Sequence, residues 1–389
     1  MSLPSVRLRL FALVFLVTLP LSLTCAAQDQ SAPDTLVLSD GNTLHGKLVK
    51  EVGGTVTFHT GSLGDLDVPW AKVKELHTGE NFAVLNKNLR TRSKAAVEQL
   101  PKGRLDGTTD SVTVEGSAPI PAKNAQVIID QATLEKEVNQ QPGILQGWNG
   151  AVTAGATLVR ATQNQSSFSA ALGLVRTVPT VSWLDPRNRT LADFNSSFGS
   201  ITQPAYRVGG LTIPATTTKS SILHFDVEQD EYLSSRIFAL GQAAFDHNYS
   251  QDLNLQQIYG GGLGWTALKT PAQEADLKAT IQYEKQSFIT GVGGTSQNLI
   301  GSTFSVDYLA KLKFVTFTQN IGFIPAYNHP RAYSAEETDA LAFPAWKNLG
   351  FSVGTLDSYL NDPPATLPPT KRNSFQFTMG LSYAFKSKY

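Results

Sequence analysis

The strongest constraint in this sequence is a two-residue alternation that sets in near Trp148 and persists to the C-terminus. In the last such segment Phe375, Phe377, Met379, Leu381, Tyr383 and Phe385 share one parity, while Gln376, Thr378, Gly380, Ser382 and Ala384 take the other. Successive side chains of a strand point to opposite faces, so the segment reads as a strand with one apolar and one polar or small face. The pattern recurs upstream. Ala275, Leu277, Ala279, Ile281 and Tyr283 oppose Asp276, Lys278, Thr280, Gln282 and Glu284, and Phe304, Val306 and Tyr308 oppose Thr303, Ser305 and Asp307. Leu223, Phe225 and Val227 likewise oppose His224, Asp226 and Glu228.

A soluble sandwich also alternates, so length must decide. These segments run about 11–16 residues, against roughly 5–6 in soluble sheets, and about 10 suffice to cross a bilayer obliquely. Tyr232, Trp265, Trp346 and Tyr359 fall near segment ends, where interfacial aromatic girdles sit. Twelve strands are expected, starting near residues 148, 166, 191, 217, 233, 253, 274, 298, 313, 335, 349 and 373, with ten as the alternative count. Short connections such as 269–273 alternate with longer ones such as 288–297 and 361–372. Short turns on one side and long loops on the other are the habit of an outer-membrane barrel with both ends on the periplasmic side.

The N-terminus agrees with export. Arg7 and Arg9 precede an apolar run from Leu10 to Leu23, and Cys25, Ala26 and Ala27 offer small residues for cleavage. The run is shorter than the roughly 20 residues of a membrane-spanning helix. Residues 1–27 therefore read as a secretory signal of a Gram-negative envelope protein, with processing at Cys25 as a lipoprotein left as an alternative. Residues 34–140 read as a periplasmic domain and linker of different character. Leu36 and Leu38, Leu44 and Leu48, Val56 and Phe58, and Leu66 and Val68 mark short strands separated by Asp40-Gly41-Asn42, Gly53-Gly54 and Gly61-Ser62. This predicts a small half-open barrel of SH3-like or Sm-like type, with a weaker second pass over 82–130 and Asp130 as the cap of a short helix.

Composition removes other classes. Thirty-two basic residues balance 32 acidic ones, which gives no drive toward nucleic acid. The single cysteine, Cys25, excludes a disulfide scaffold and a cysteine-based zinc site.

The stretch from Glu231 to Tyr249, continuing through Leu253–Gln257 to Gly260–Trp265, is distinctive. Together with Gly147–Gly155 and Phe377–Phe385 it resembles the salt-induced outer-membrane proteins, also called the domain-of-unknown-function 481 family. The resemblance covers roughly residues 146–389. It implies an all-β chain with an outer-membrane barrel, and a link to salt or osmotic response. It supplies no catalytic residues.

Candidate chemistry is sparse. Gly260, Gly261, Gly262 and Gly264 lack the strand–helix context of a phosphate loop and read as packing glycines. The six histidines show no metal-ligand spacing, so no metal ligand, cofactor site or catalytic residue is assigned. A hydrolase built on His247 and Ser250 is disfavoured, because the two have opposite strand parity. The chain is expected not to be an enzyme. His224, Asp226, Glu228, Asp276, Lys278, Glu284 and Asp307 are the lumen-facing candidates. They would tune ion selectivity in a porin, or pair across the interior of a closed barrel. The expected partners are outer-membrane lipid, the barrel-assembly machinery that reads an aromatic-ended last strand, and a periplasmic partner bound by the N-terminal domain.

Overall fold

The structure is a computed structural model and describes residues 33–86, 97–160, 164–289, 296–363 and 372–386. The export signal with Cys25, and Tyr389, lie outside the described residues.

Among the described residues, the N-terminal unit holds eleven short strands: β1 (Asp34–Leu38), β2 (Thr43–Val52), β3 (Thr55–Thr60), β4 (Gly64–Pro69), β5 (Val73–His77), β6 (Phe82–Asn86), β7 (Lys102–Gly103), β8 (Leu105–Thr108), β9 (Ser111–Val114), β10 (Ile120–Pro121) and β11 (Ala125–Asp130). Their pairing reveals a duplication. β5-β1-β2-β3-β4 form one half-barrel, and β11-β6-β7/β8-β9-β10 form a second with the same strand order. In each unit a one-turn 3₁₀ helix after a proline, Trp70–Lys72 or Ala122–Asn124, leads into the last strand. Each last strand then pairs with the other unit: β5 with β8, and β11 with β2. The second pass over 82–130 is thus a full partner of the first. The reason is the shared core, in which Leu36, Val56, Phe58, Val73 and Leu76 of one unit meet Phe82, Val84, Leu105, Val112 and Ile128 of the other. Two units of under 60 residues bury too little alone, and together they close one core.

Helix α1 (Gln131–Val138) follows, with the Asp130 carboxylate accepting from the Thr133 N–H at 2.8 Å as a cap. Beyond it the alternating strands close a twelve-strand antiparallel barrel. They are β12 (Trp148–Arg160), β13 (Asn164–Val178), β14 (Asn188–Gln203), β17 (Thr216–Tyr232), β18 (Ile237–Asn248), β19 (Leu253–Lys269), β20 (Gln273–Phe288), β21 (Ser296–Lys311), β22 (Thr316–Ile324), β23 (Ser334–Trp346), β24 (Leu349–Leu360) and β25 (Asn373–Lys386). A small hairpin, β15 (Tyr206–Val208) and β16 (Leu211–Ile213), decorates the connection between β14 and β17.

β12 pairs with β25 from Asn149↔Lys386 to Ala154↔Leu381, so no edge remains to template foreign strands. Just past that ladder a Cβ at Gly155 or Gly380 would overlap the backbone of the opposite strand, so glycine permits the close approach at the seam.

The barrel is inside out relative to a soluble protein. Along β20 every inward residue from Asp276 to Gln286 is buried and polar, while outward Ile281 is 70% exposed. Phe375, Phe377, Met379, Leu381 and Tyr383 are exposed along the outer face of β25, with Leu381 at 74%; Phe385 is half-buried at the same parity. Trp265 and Trp346 also point outward. Tyr232 does not, contrary to the girdle expectation: it shares the parity of His224, Asp226 and Glu228 and lies buried inside, 3% exposed. One outward stretch breaks the apolar pattern, since register places Glu337, Asp339 and Asp357 on the exterior beside Ile321 and Phe375.

The two units are in contact. Leu184, in the connection between β13 and β14, packs with Ala83, Leu85, Val127, Ile129 and Leu134 of the N-terminal unit. Arg187 donates to the Val138 carbonyl at 2.9 Å, Arg176 to Pro142 at 2.8 Å, and the Thr180 N–H donates to Gln140 at 3.0 Å.

Candidate functional site

All seven lumen candidates project into the barrel, and the structure gathers them into groups stacked along it. Nearest the N-terminal unit, Arg189 of β14 donates to Asp230 of β17 at 2.7 Å, and to Glu274 and Asp276 of β20 at 2.8 and 2.6 Å. Its guanidinium also lies over the rings of Phe238 and Tyr232, 5.2 and 5.8 Å from their centroids. Phe238, Tyr232 and Leu240 form a buried apolar cluster there. Room for Phe238 comes from Gly264 on the next strand, where a Cβ would overlap the ring. The glycines at 260–264 thus sit within β19 and do not form a loop.

One level outward, Lys278 Nζ lies 2.5 Å from Glu228 Oε1 and 2.5 Å from Asp307 Oδ2. Thr303 donates to Gln282 beside it. Glu284 accepts from Gln256 and Gln286, each at 2.6 Å. These residues come from β17, β19, β20 and β21, so the bonds cross the interior as well as running along the wall.

Farther out, His224 of β17 sits between two carboxylates, 2.5 Å from Asp246 Oδ1 on β18 and 3.1 Å from Asp226 Oδ1. Glu336 of β23 faces them, and ligand atoms of His224, Asp246 and Glu336 all lie within 4.8 Å of one another. At the end of the barrel away from the N-terminal unit, one segment reaches across the interior. The one-turn segment Tyr249–Gln251 brings Gln251 across to the carbonyls of Ser358 and Arg372, at 3.0 and 2.9 Å. Leu253, Phe288 and Leu360 form a buried cluster beside it.

Arg189, Asp230, Asp246, Glu274 and Glu336 were not singled out in the sequence. Asp230 extends the parity of His224, Asp226 and Glu228 and was recoverable from it. Arg189 was not, because its partners lie up to 87 residues away. The disfavoured hydrolase pair gains nothing: His247 is outward by parity and its Nδ1 is 2.7 Å from the Asn254 carbonyl.

Two solved autotransporter domains show a distant likeness to this chain. The solved β domain of the Bordetella autotransporter BrkA is 9% identical, covering 61% of this chain and 97% of that one, with a TM-score of 0.27. The translocator domain of the autotransporter NalP from Neisseria meningitidis is 10% identical, covering 66% and 93%, with a TM-score of 0.25. No curated protein matches the sequence. The barrel assignment rests instead on the closed strand ladder and its inverted polarity. Residues 152–385 match the family described as "Protein of unknown function, DUF481", and the chain belongs to that family.

Proposed function

We propose that this chain is a non-enzymatic outer-membrane barrel, closed at rest, that holds its N-terminal double half-barrel against its periplasmic end. The observation that carries the reading is Arg189, whose three carboxylate partners on β17 and β20 place a charged bridge across the interior from β14. Lys278 repeats the device one level out. A conducting channel needs an unobstructed water-filled path, whereas here side chains bonded to one another across the interior stand in it. The apolar belt argues for lipid around the barrel, and the short turns on the side of the N-terminal unit argue for a periplasmic location of that unit.

Planar bilayer recording tests this. The wild-type protein should insert without large discrete conductance steps, and Arg189→Ser with Lys278→Ser should produce them. Stable nanosiemens-scale steps from the wild-type protein would instead support a porin.

A porin-like reading keeps one specific support, the surplus of inward carboxylates at Asp193, Asp226, Asp246, Glu284 and Glu336. Any residual current should therefore prefer cations. The resemblance to salt-induced proteins supports an osmotic role. Comparing growth of cells with and without the chain on raising external salt tests it: a deletion with unaltered salt tolerance would count against it.

A further inference from the structure

The groups near the outer mouth carry an unbalanced charge. His224 is one cationic partner at most, yet Asp226, Asp246 and Glu336 surround it, and Glu284 lies within electrostatic reach of Glu336. Lys278, the next cation inward, is already shared by Glu228 and Asp307. A buried carboxylate without a counter-charge or hydrogen bond is costly. Asp246 is satisfied on one side only: it is 8% exposed, its Oδ1 meets His224, and its Oδ2 is buried with no hydrogen-bond partner.

His224, Asp246 and Glu336 also line one cavity of about 30 Å³, together with Gln256 and Ser358. That volume fits a single water molecule or a bare ion and excludes an organic ligand. We propose that His224, Asp246 and Glu336 form a binding site for one divalent transition cation, of which Zn²⁺ and Mn²⁺ are the best matches.

The chemistry follows from the donor set. One imidazole nitrogen with two carboxylates is a borderline set that favours transition metals over Mg²⁺, which prefers oxygen alone. Ligand atoms within 4.8 Å of one another need only small side-chain rotations to reach metal–ligand distances of about 2.0–2.2 Å. His224 would ligate through the nitrogen now facing Asp246, releasing any proton held there to solvent. The other nitrogen would keep its proton and donate to Asp226, which orients the ring. Three strands, β17, β18 and β23, supply the ligands, so the ion would tie the β17–β18 hairpin to the far wall under the segment 249–251.

The test uses the full chain folded in detergent and stripped with chelator. Zn²⁺ alone, titrated by calorimetry, should bind at one equivalent and raise the temperature at which heat-modifiable gel migration is lost. Mg²⁺ should do neither at tenfold excess. Glu336→Gln and His224→Gln should each weaken Zn²⁺ binding at least tenfold. His59→Ala should leave it unchanged, since His59 pairs with Asp65 in the N-terminal unit. No saturable site, or one unaffected by both substitutions, would overturn the proposal. Should a variant misfold, Co²⁺ added to the wild-type protein decides: a visible band stronger than that of the hydrated ion supports the site, and its absence refutes it.

Discussion

Arg189 on β14 and Asp276 on β20 meet at 2.6 Å across the interior, although β17, β18 and β19 separate their strands along the wall. The pair is 87 residues apart in sequence and both members are buried. Taking Arg189 away strands the buried carboxylates of Asp230 and Asp276, and breaking a buried pair this way costs about 3–5 kcal/mol. Arg189→Met should therefore lower the unfolding midpoint of the detergent-folded barrel in urea. Arg189→Lys should recover only part of the loss, because a single ammonium lacks the fork that reaches Asp230, Glu274 and Asp276 together. Equal midpoints for Arg189→Met and the wild-type protein would refute a structural role for the bridge.

Gly264 and Phe238 should behave as a coupled pair. A methyl group at 264 collides with a ring that is fully buried, so Gly264→Ala should cost about 1–3 kcal/mol through overpacking. Phe238→Ala alone should cost about 3–5 kcal/mol through lost packing. The double variant should lose less than the sum, since the smaller residue at 238 makes room for the methyl. Strict additivity in urea midpoints would show that the two side chains do not compete for space.

What was legible in the sequence follows from the range of each interaction. Strand parity is local, so the outward row from Phe375 to Tyr383 and the inward row of His224, Asp226 and Glu228 could be read directly. Strand starts were readable for the same reason, and β12, β19, β24 and β25 begin where the alternation places them. Tyr232 misled because its position at a strand end suggested a girdle, while its even parity, the same as that of Glu228, directed it inward. The pairing of β5 with β8 and of β11 with β2 was invisible, because it depends on two separate segments sharing a core. The grouping of His224, Asp246 and Glu336 was invisible too. Histidine spacing detects ligands on one element, whereas these come from β17, β18 and β23.

Glu51 makes the N-terminal unit sensitive to pH. Its side chain is 2% exposed, Oε1 accepts from the Gly54 N–H at 2.6 Å, and Oε2 is buried without a partner. Burial pushes its pKa from an ordinary 4.5 up to about 7, against the opposing pull of the Gly54 hydrogen bond. The folded state therefore holds the proton more tightly than the unfolded chain. The resulting stability is fully present below pH 4.5 and is lost as pH rises through about 7. Glu51→Gln should remove this dependence and stabilise the unit at pH 8 by up to about 3 kcal/mol. Hydrogen exchange of the β2 and β11 amides, corrected for intrinsic rates, measures it. Parallel pH profiles for variant and wild-type protein would count against the assignment.

The terminal strand offers a test of facing. Leu381 is 74% exposed on the outer face, whereas Thr378 points inward and is half-buried. Arginine at 381 near the midplane should cost about 2–4 kcal/mol in lipid. Arginine at 378, which enters a polar interior, should cost less. Equal loss of heat-modifiable migration in the two variants would overturn the facing.

The last prediction concerns the contact between the two units. Leu184 is 6% exposed in the connection between β13 and β14, where it joins Leu85, Val127, Ile129 and Leu134 in one buried cluster. Polar anchors flank it, with Arg187 on the Val138 carbonyl and Thr180 on Gln140. A carboxylate at 184 would be buried among apolar side chains, a penalty of several kcal/mol. The unit's own core, built on Phe58, Phe82 and Ile128, lies elsewhere and should survive. Leu184→Asp should therefore detach the N-terminal unit without unfolding either part. Limited proteolysis should then cut near residues 139–147 at least tenfold faster, while heat-modifiable migration of the barrel fragment stays as in the wild-type protein. An unchanged cleavage rate would mean that the contact through Leu184 does not hold the units together. Loss of barrel migration would mean that the 179–187 connection is needed for the barrel itself, and the reading of the contact as a separable anchor would be wrong.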